Sequence, residues 1–187
     1  VDPKAVKAPV CFYHDSEYYY QVSGSPRGAI GYFRFVDPIE LNFYYDRNDE
    51  RLTLDVMFHE TNHYLTYLIN PKFNYPPWIN ESLAEYYGAS QWDPVKKTMT
   101  VGHIQEGRLV NLQDAMAGDE WQGLQKMMEM PDFGALEYAW GWSFLHMLME
   151  SKKYSQPFQT FYVALSTAKD VTRVPYQGDM VECKPEE

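Results

Sequence analysis

A chain of 187 residues, 45% hydrophobic and 22% charged, is the size of one domain and has enough apolar side chain to bury a core, which argues against a disordered segment. The formal net charge of −10 argues against binding to a polyanion, so no nucleic-acid partner is expected. The longest apolar runs are only a few residues, far below the roughly 20 that cross a bilayer, so no transmembrane segment is expected, and no leader is legible.

In chain order, residues 10–14 read as a short strand and 16–28, with Gly24, Ser25, Pro26 and Gly28, as a polar loop. Residues 29–36 and 39–45 read as two strands separated by Asp37-Pro38. From 51 to 69 the period changes: Leu54, Phe58, Leu65, Leu68 and Ile69 recur at helical spacing, and Asn70-Pro71 supplies the stop. After a loop over 71–77, Asn80 is the expected cap of a second helix running to Tyr87 and closed by Gly88. A hairpin is expected over 92–101, short helices over 111–116 and 120–128, a long helix capped by Asp132 and ending at Glu150, and a last helix over 157–168. The tail beyond Asp170 reads as extended or loose. Strands first and helices after is an α+β pattern. One domain over 1–187 is expected: strands in 10–50, a helix pair in 51–90, and a helical part with the tail in 91–187.

Two cysteines, Cys11 and Cys183, make no framework. A bridge between them would staple the termini and fit an oxidising, extracytoplasmic setting. Two free thiols fit the sequence equally well. Neither cysteine has a companion at metal-site spacing. The 16 Tyr, 10 Phe and 5 Trp fit an aromatic-rich core first, and a ring-lined groove for sugars or peptides second.

The informative segment is Phe58-His59-Glu60-Thr61-Asn62-His63, an H-E-x-x-H on an expected helix. Residues four apart differ by about 40° around a helix, so His59 and His63 share one side and can chelate one divalent ion. Glu60 then stands beside the ion. A water on Zn²⁺ has its pKa lowered toward about 7, and a neighbouring carboxylate can take its proton. A catalytic zinc needs a third protein ligand, and Glu81 opens the second helix. Glu85, one turn further on the same face, can accept the free ring N–H of a ligand histidine and fix its tautomer. Taken alone, Glu81 would be an ordinary carboxylate near a helix N-terminus.

The pair HETNH and Trp78-Ile79-Asn80-Glu81-Ser82-Leu83-Ala84-Glu85-Tyr86-Tyr87 resembles the gluzincin branch of zinc metallopeptidases. More narrowly, it is similar to the peptidase MA-like domains. The resemblance runs from about residue 39 to 161 and is concentrated at the two motifs. Ser82 stands where that family usually has Gly. The resemblance implies a thermolysin-like domain with a small twisted sheet before the metal helix, whose edge strand, within 29–36 or 39–45, holds an extended peptide or protein substrate. It implies Zn²⁺ on His59, His63 and Glu81, Glu60 as general base, and Glu85 orienting a histidine. It also implies a downstream oxyanion donor, for which Tyr138 in Glu137-Tyr138-Ala139-Trp140-Gly141-Trp142 matches, with His146 the weaker substitute. Gly141 would let that helix approach a neighbour; were that neighbour the His59–His63 helix, the Tyr138 phenol could overhang the metal. The expected activity is hydrolysis of peptide bonds. Two alternatives stay open: a zinc-binding scaffold with little turnover, and a zinc amidase acting on a cell-wall or glycan-linked amide. His14 and His103 have no partner at useful spacing.

Overall fold

The computed structural model describes residues 7–25, 27–72 and 75–168, together with the backbone of 171–175 and 179–183. Strands β1 (Val10–Tyr13), β2 (Gly31–Arg34) and β3 (Glu40–Tyr44) form one sheet in the order β1-β3-β2. β1 runs parallel to β3 and β2 antiparallel to it, with Gly31 opposite Phe43 and Phe33 opposite Leu41. The central position of β3 explains why Leu41, Asn42, Phe43 and Tyr44 are all buried. It also settles which expected strand can serve as an edge beside a cleft: β2 can, β3 cannot.

Between β1 and β2, Ser16–Ser23 is a helix, α1, where a loop was expected. Asp15 accepts the Tyr18 N–H at 2.8 Å, and Gly24, at φ 70°, closes the C-terminal end. The helix shows no apolar stripe because its rings, Tyr18 to Tyr20, are consecutive. Only Tyr19 is buried, 5.3 Å ring to ring from both Tyr13 and Tyr44 on one face of the sheet.

The other face of the sheet packs on α2 (Glu50–Ile69). Asp49 caps α2 by accepting the Leu52 N–H, and the Asp46 N–H donates to Thr53 Oγ1 at 2.9 Å, tying strand end to helix start. The helix lies where its periodicity predicts, but the leucine stripe is not its buried face. Leu54, Leu65 and Ile69 are 38%, 43% and 51% exposed, whereas Thr53, Glu60 and Thr66 are buried. The ionisable side of α2 is turned inward.

Helix α3 (Pro77–Gly88) begins at Pro77, not at Asn80; proline is well suited to a first helical position because its missing N–H would be unpaired there anyway. Asn80 therefore sits inside the first turns. α3 is sandwiched between α2 and α6 (Ala135–Glu150), and α6 also packs against α4 (Glu106–Ala117). α4 extends beyond the expected 111–116. A hairpin of β4 (Gln91–Asp93) and β5 (Thr98–Thr100) precedes α4, a short α5 (Leu124–Met128) follows it, and α7 (Ser155–Thr167) lies against α6. The Gly134 N–H donates to Glu137 Oε2 at 3.0 Å at the start of α6, so Asp132 is not its cap. The backbone of the tail is extended, the first of its two expected forms, and pairs as an antiparallel hairpin, β6 (Val171–Pro175) with β7 (Asp179–Cys183). The side chain of Cys183 lies outside the described residues; Cys11 Sγ is 3.8 Å from Glu40 Oε2.

The chain is thus α+β, a small N-terminal sheet followed by a mainly helical region. The helical core gathers Tyr75, Trp78, Ile79, Leu83, Tyr86, Leu145 and Phe158, four of them aromatic, while other rings such as Phe12, Phe35, Trp92 and Trp121 are exposed. Among the described residues, no helix is long and apolar enough to cross a membrane.

Two glycines set how closely the layers approach. A Cβ on Gly141 would meet Ser82 Oγ and stand 2.7 Å from the Phe133 ring, so the neighbour Gly141 admits is α3 and not the His59–His63 helix α2. A Cβ on Gly31 would lie 2.6 Å from Val56 Cγ1 and 2.9 Å from the Asn42 carbonyl oxygen. Gly31→Ala should therefore push β2 off α2 and lower stability by about 1–3 kcal/mol, the usual cost of overpacking. Urea unfolding of the variant beside the parent measures it, and an unchanged midpoint would show that β2 is not pressed on α2.

Candidate metal centre

Helices α2 and α3 lie side by side and bring three donor atoms to one point. His59 Nε2 and His63 Nε2 are 3.1 Å apart, and Glu81 Oε2 is 3.5 Å from the first and 3.6 Å from the second. Ligands on a tetrahedral zinc at about 2.0–2.2 Å stand roughly 3.3–3.6 Å from one another. The three side chains thus form a cluster that could coordinate a metal ion, and among the described residues it is the one such group.

The hydrogen bonds around the cluster decide which lone pairs face inward. His59 Nδ1 is 3.2 Å from Glu85 Oε1, and a carboxylate can only accept, so Nδ1 carries the proton. His63 Nδ1 is 3.1 Å from Asn80 Oδ1. The Asn80 amide is oriented by its own Nδ2, which donates to Glu81 Oε1 at 3.2 Å, so Oδ1 is free to accept from His63. Both imidazoles are therefore held as donors on the outside, which leaves both Nε2 lone pairs and a carboxylate oxygen converging. Only a cation satisfies that arrangement.

Without a metal, a proton takes the place of the cation. Burial favours the neutral form of His59, but the hydrogen bonds with Glu81 and Glu85, together with the charge of Glu60, outweigh it and push the His59 pKa up to about 10. Burial would raise the Glu81 carboxyl, yet His59 and His63 hold it well below the ordinary carboxylate range. Glu85 is likewise desolvated, but its bonds to His59 and Arg108 hold it at about 2. Arg108 meets Glu85 with two hydrogen bonds, from Nε at 2.7 Å and Nη2 at 2.9 Å.

Glu60 is 7% exposed. Burial and the negative Glu81 raise its pKa, while His59, His63 and the Phe33 backbone N–H, which donates to its carboxylate, restrain the shift. Tyr138, reaching over from α6, donates its hydroxyl to Glu81 Oε2 at 3.1 Å and sets its ring 6.4 Å from that of His59. The Arg108 guanidinium lies over the Tyr138 ring, 4.9 Å from its centroid. His146 is 3.1 Å from the Gly102 carbonyl oxygen, a structural bond that turns it away from the cluster. His14 pairs with Asp15 and His103 with Thr100, both away from it as well.

All six expected residues, His59, Glu60, His63, Glu81, Glu85 and Tyr138, are thus brought together. Sequence reasoning missed three partners. Asn80 was read as a helix cap, although its place directly before Glu81 was a usable signal. Arg108 lies on α4 and has no local signature. The Phe33 N–H is backbone and leaves no trace in residue type.

Two cavities meet at the cluster, one of about 920 Å³ and one of about 400 Å³, and both are bordered by Gly31, His59, Glu60 and Tyr138. Residues Gly28–Gly31 border the larger, and Gly31, Tyr32, Phe33 and Phe35 the smaller, so the edge strand β2 and its flanks run along the whole cleft. No family model, no curated protein and no solved structure matches this chain.

The charge arrangement predicts a pH profile for the metal-free chain. The folded pKa of His59 is raised above its ordinary 6.5, so the stability it contributes is complete below that value and is lost as pH rises toward about 10. The folded pKa of Glu85 is depressed from 4.5, so its contribution is complete above that value and is lost as pH falls toward about 2. Stability in the presence of a chelator should peak at roughly pH 5–6.5 and decline on both sides. Saturating zinc, which needs neutral imidazole, should flatten the alkaline decline. Urea unfolding at stepped pH tests this. Equal metal-free stability at about pH 6 and about pH 9 would contradict a proton shared within the cluster.

Proposed function

We propose that this chain is a zinc-dependent hydrolase of peptide bonds, of the gluzincin kind. The observation that carries the reading is the convergence of three donor atoms, His59 Nε2, His63 Nε2 and Glu81 Oε2, beside a buried Glu60 in an open cleft. Bound there, zinc would supply a Lewis acid and lower the pKa of a water toward neutrality.

The chain's own residues would do the rest. Glu60 is buried beside two imidazoles, and its raised pKa suits a carboxylate that takes a proton from the attacking water and hands it to the departing amine. Tyr138 keeps its proton at neutral pH, because burial first and the nearby Glu81 second raise its pKa. Its hydroxyl can therefore donate to the oxyanion of the tetrahedral intermediate. Glu85 and Asn80 hold the imidazoles in register, and Arg108 neutralises Glu85 so that the cluster does not carry three unbalanced carboxylates. A polypeptide substrate is supported by β2, an edge strand lying along the cleft, since an edge offers backbone groups to an extended chain.

Glu60→Gln should retain one zinc per chain and lose hydrolysis of a peptide mixture by about 10²-fold or more, since an amide cannot take the proton. Undiminished turnover would remove Glu60 from the chemistry, and zinc retention with no turnover in the parent would favour a binding domain. Tyr138→Phe keeps the ring and its packing. It should preserve fold and zinc while lowering kcat by about 10²–10³-fold. A kcat equal to that of the parent would return Tyr138 to a purely structural part.

A further inference from the structure

The two arms of the cleft differ in chemistry. The larger mixes charged and aliphatic side chains, bordered by Asp49, Asp55, Glu106, Arg51 and Arg108 but also by Ile30, Leu52, Val56 and Ile104, and has no ring besides those of His59 and Tyr138 among the described residues. Its two cations are already engaged: Arg51 donates to the carbonyls of Ala89 and Ser90 and pairs with Asp55, and Arg108 pairs with Glu85. The smaller arm is walled by rings, Tyr32, Phe33, Phe35, Tyr67 and Tyr75, with Lys72 the one charge besides the cluster itself among the described residues.

Three features mark the smaller arm as a built pocket. Tyr67 stands one helical turn beyond His63, so α2 carries its ring to the side of the cluster. The Phe33 ring is wedged between two α2 rings, with centroids 5.8 Å from Tyr64 and 5.7 Å from Tyr67, which fixes one corner. Phe35, two residues further along the same edge, is 66% exposed, a large apolar surface left to water beside the reacting groups. The volume of about 400 Å³ takes one large side chain and its backbone, and the arm shares His59, Glu60, His63, Glu81 and Tyr138 with the cluster. A side chain seated there belongs to a residue beside the bond being cut.

Resting on the peptidase reading, we infer that this arm is the specificity pocket: it takes an aromatic side chain of the substrate on one fixed side of the scissile bond, while the larger arm passes the chain on the other side. Both arms border Glu60, which fits a polypeptide that extends beyond the scissile bond in both directions.

The test uses the zinc-loaded full chain and peptides that differ only in carrying Phe or Ala at each position in turn. Cut sites are read by mass spectrometry, and kcat/KM is measured for each. Phe should be preferred over Ala by about 10–100-fold at one position on one side of the cut, the value of burying one ring. Phe35→Ala, a change at an exposed residue, should reduce that ratio about tenfold or more. Trp121→Ala, an exposed ring that does not border the cleft, should leave the ratio as it is. The same peptides are titrated into zinc-loaded Glu60→Gln by fluorescence anisotropy, where the Phe peptide should bind about tenfold tighter and lose that margin when Phe35→Ala is added. Cleavage without a side-chain preference, or with a preference that Phe35→Ala does not move, overturns the pocket and leaves the peptidase. Ring-dependent binding without any cleavage supports the pocket and overturns the peptidase. Peptides that are neither bound nor cut overturn the pocket.

Discussion

The rest of the structure depends on a shortage of protons at one point. Each imidazole of the His59–His63 pair spends its ring N–H outward, on Glu85 in one case and Asn80 in the other, and the third group to arrive is a carboxylate. Three lone pairs pointing at one another would repel unless a positive charge stands among them. In the metal-free chain that charge is a proton, held on His59 far above its ordinary range. A zinc ion matches both the spacing of the donors and their softness better than a hard, oxygen-seeking cation would.

The fold is arranged around holding α2 and α3 in one register. Gly31 lets the edge strand settle on α2, which brings the Phe33 N–H to Glu60 and lays the strand along the cleft. Gly141 lets α6 settle on α3 against Ser82, which brings Tyr138 to Glu81. Ser82 Oγ takes up the space that the missing Cβ of Gly141 leaves on the opposite helix. Arg108, from α4, closes the ring of contacts by binding Glu85 with two hydrogen bonds and lying over Tyr138. Sheet, helix pair and outer helices each contribute at least one group to the cluster.

The part of this that was legible in the sequence is the part that is local. His59, Glu60 and His63 are fixed by the pitch of one helix, and Glu81 with Glu85 by one turn of the next; that Glu81 meets the histidines was expected only from the two motifs taken together. The partners that join distant segments were not legible: Arg108 meets Glu85 only because α4 folds back, and the Phe33 amide is backbone. Local signals also misled where two principles competed. Asn80 is a good cap residue, but Pro77 starts the helix earlier and leaves Asn80 free to serve His63. The apolar period of α2 located the helix but not its inward face, because the side that carries His59, Glu60 and His63 is turned toward the cluster and Leu54, Leu65 and Ile69 are left toward water. Helix α1 has ordinary caps in Asp15 and Gly24, but its consecutive tyrosines hide the period.

The central claim is the donor set, and X-ray absorption at the zinc edge reads it directly on the zinc-loaded full chain. The account predicts one firmly bound zinc with nitrogen and oxygen neighbours only, at about 2.0–2.2 Å, and the outer-shell signature of two imidazoles, one of which disappears in His63→Ala. A sulfur neighbour at about 2.3 Å, a shell of oxygens without imidazole, or a chain that keeps no zinc through gel filtration would contradict it.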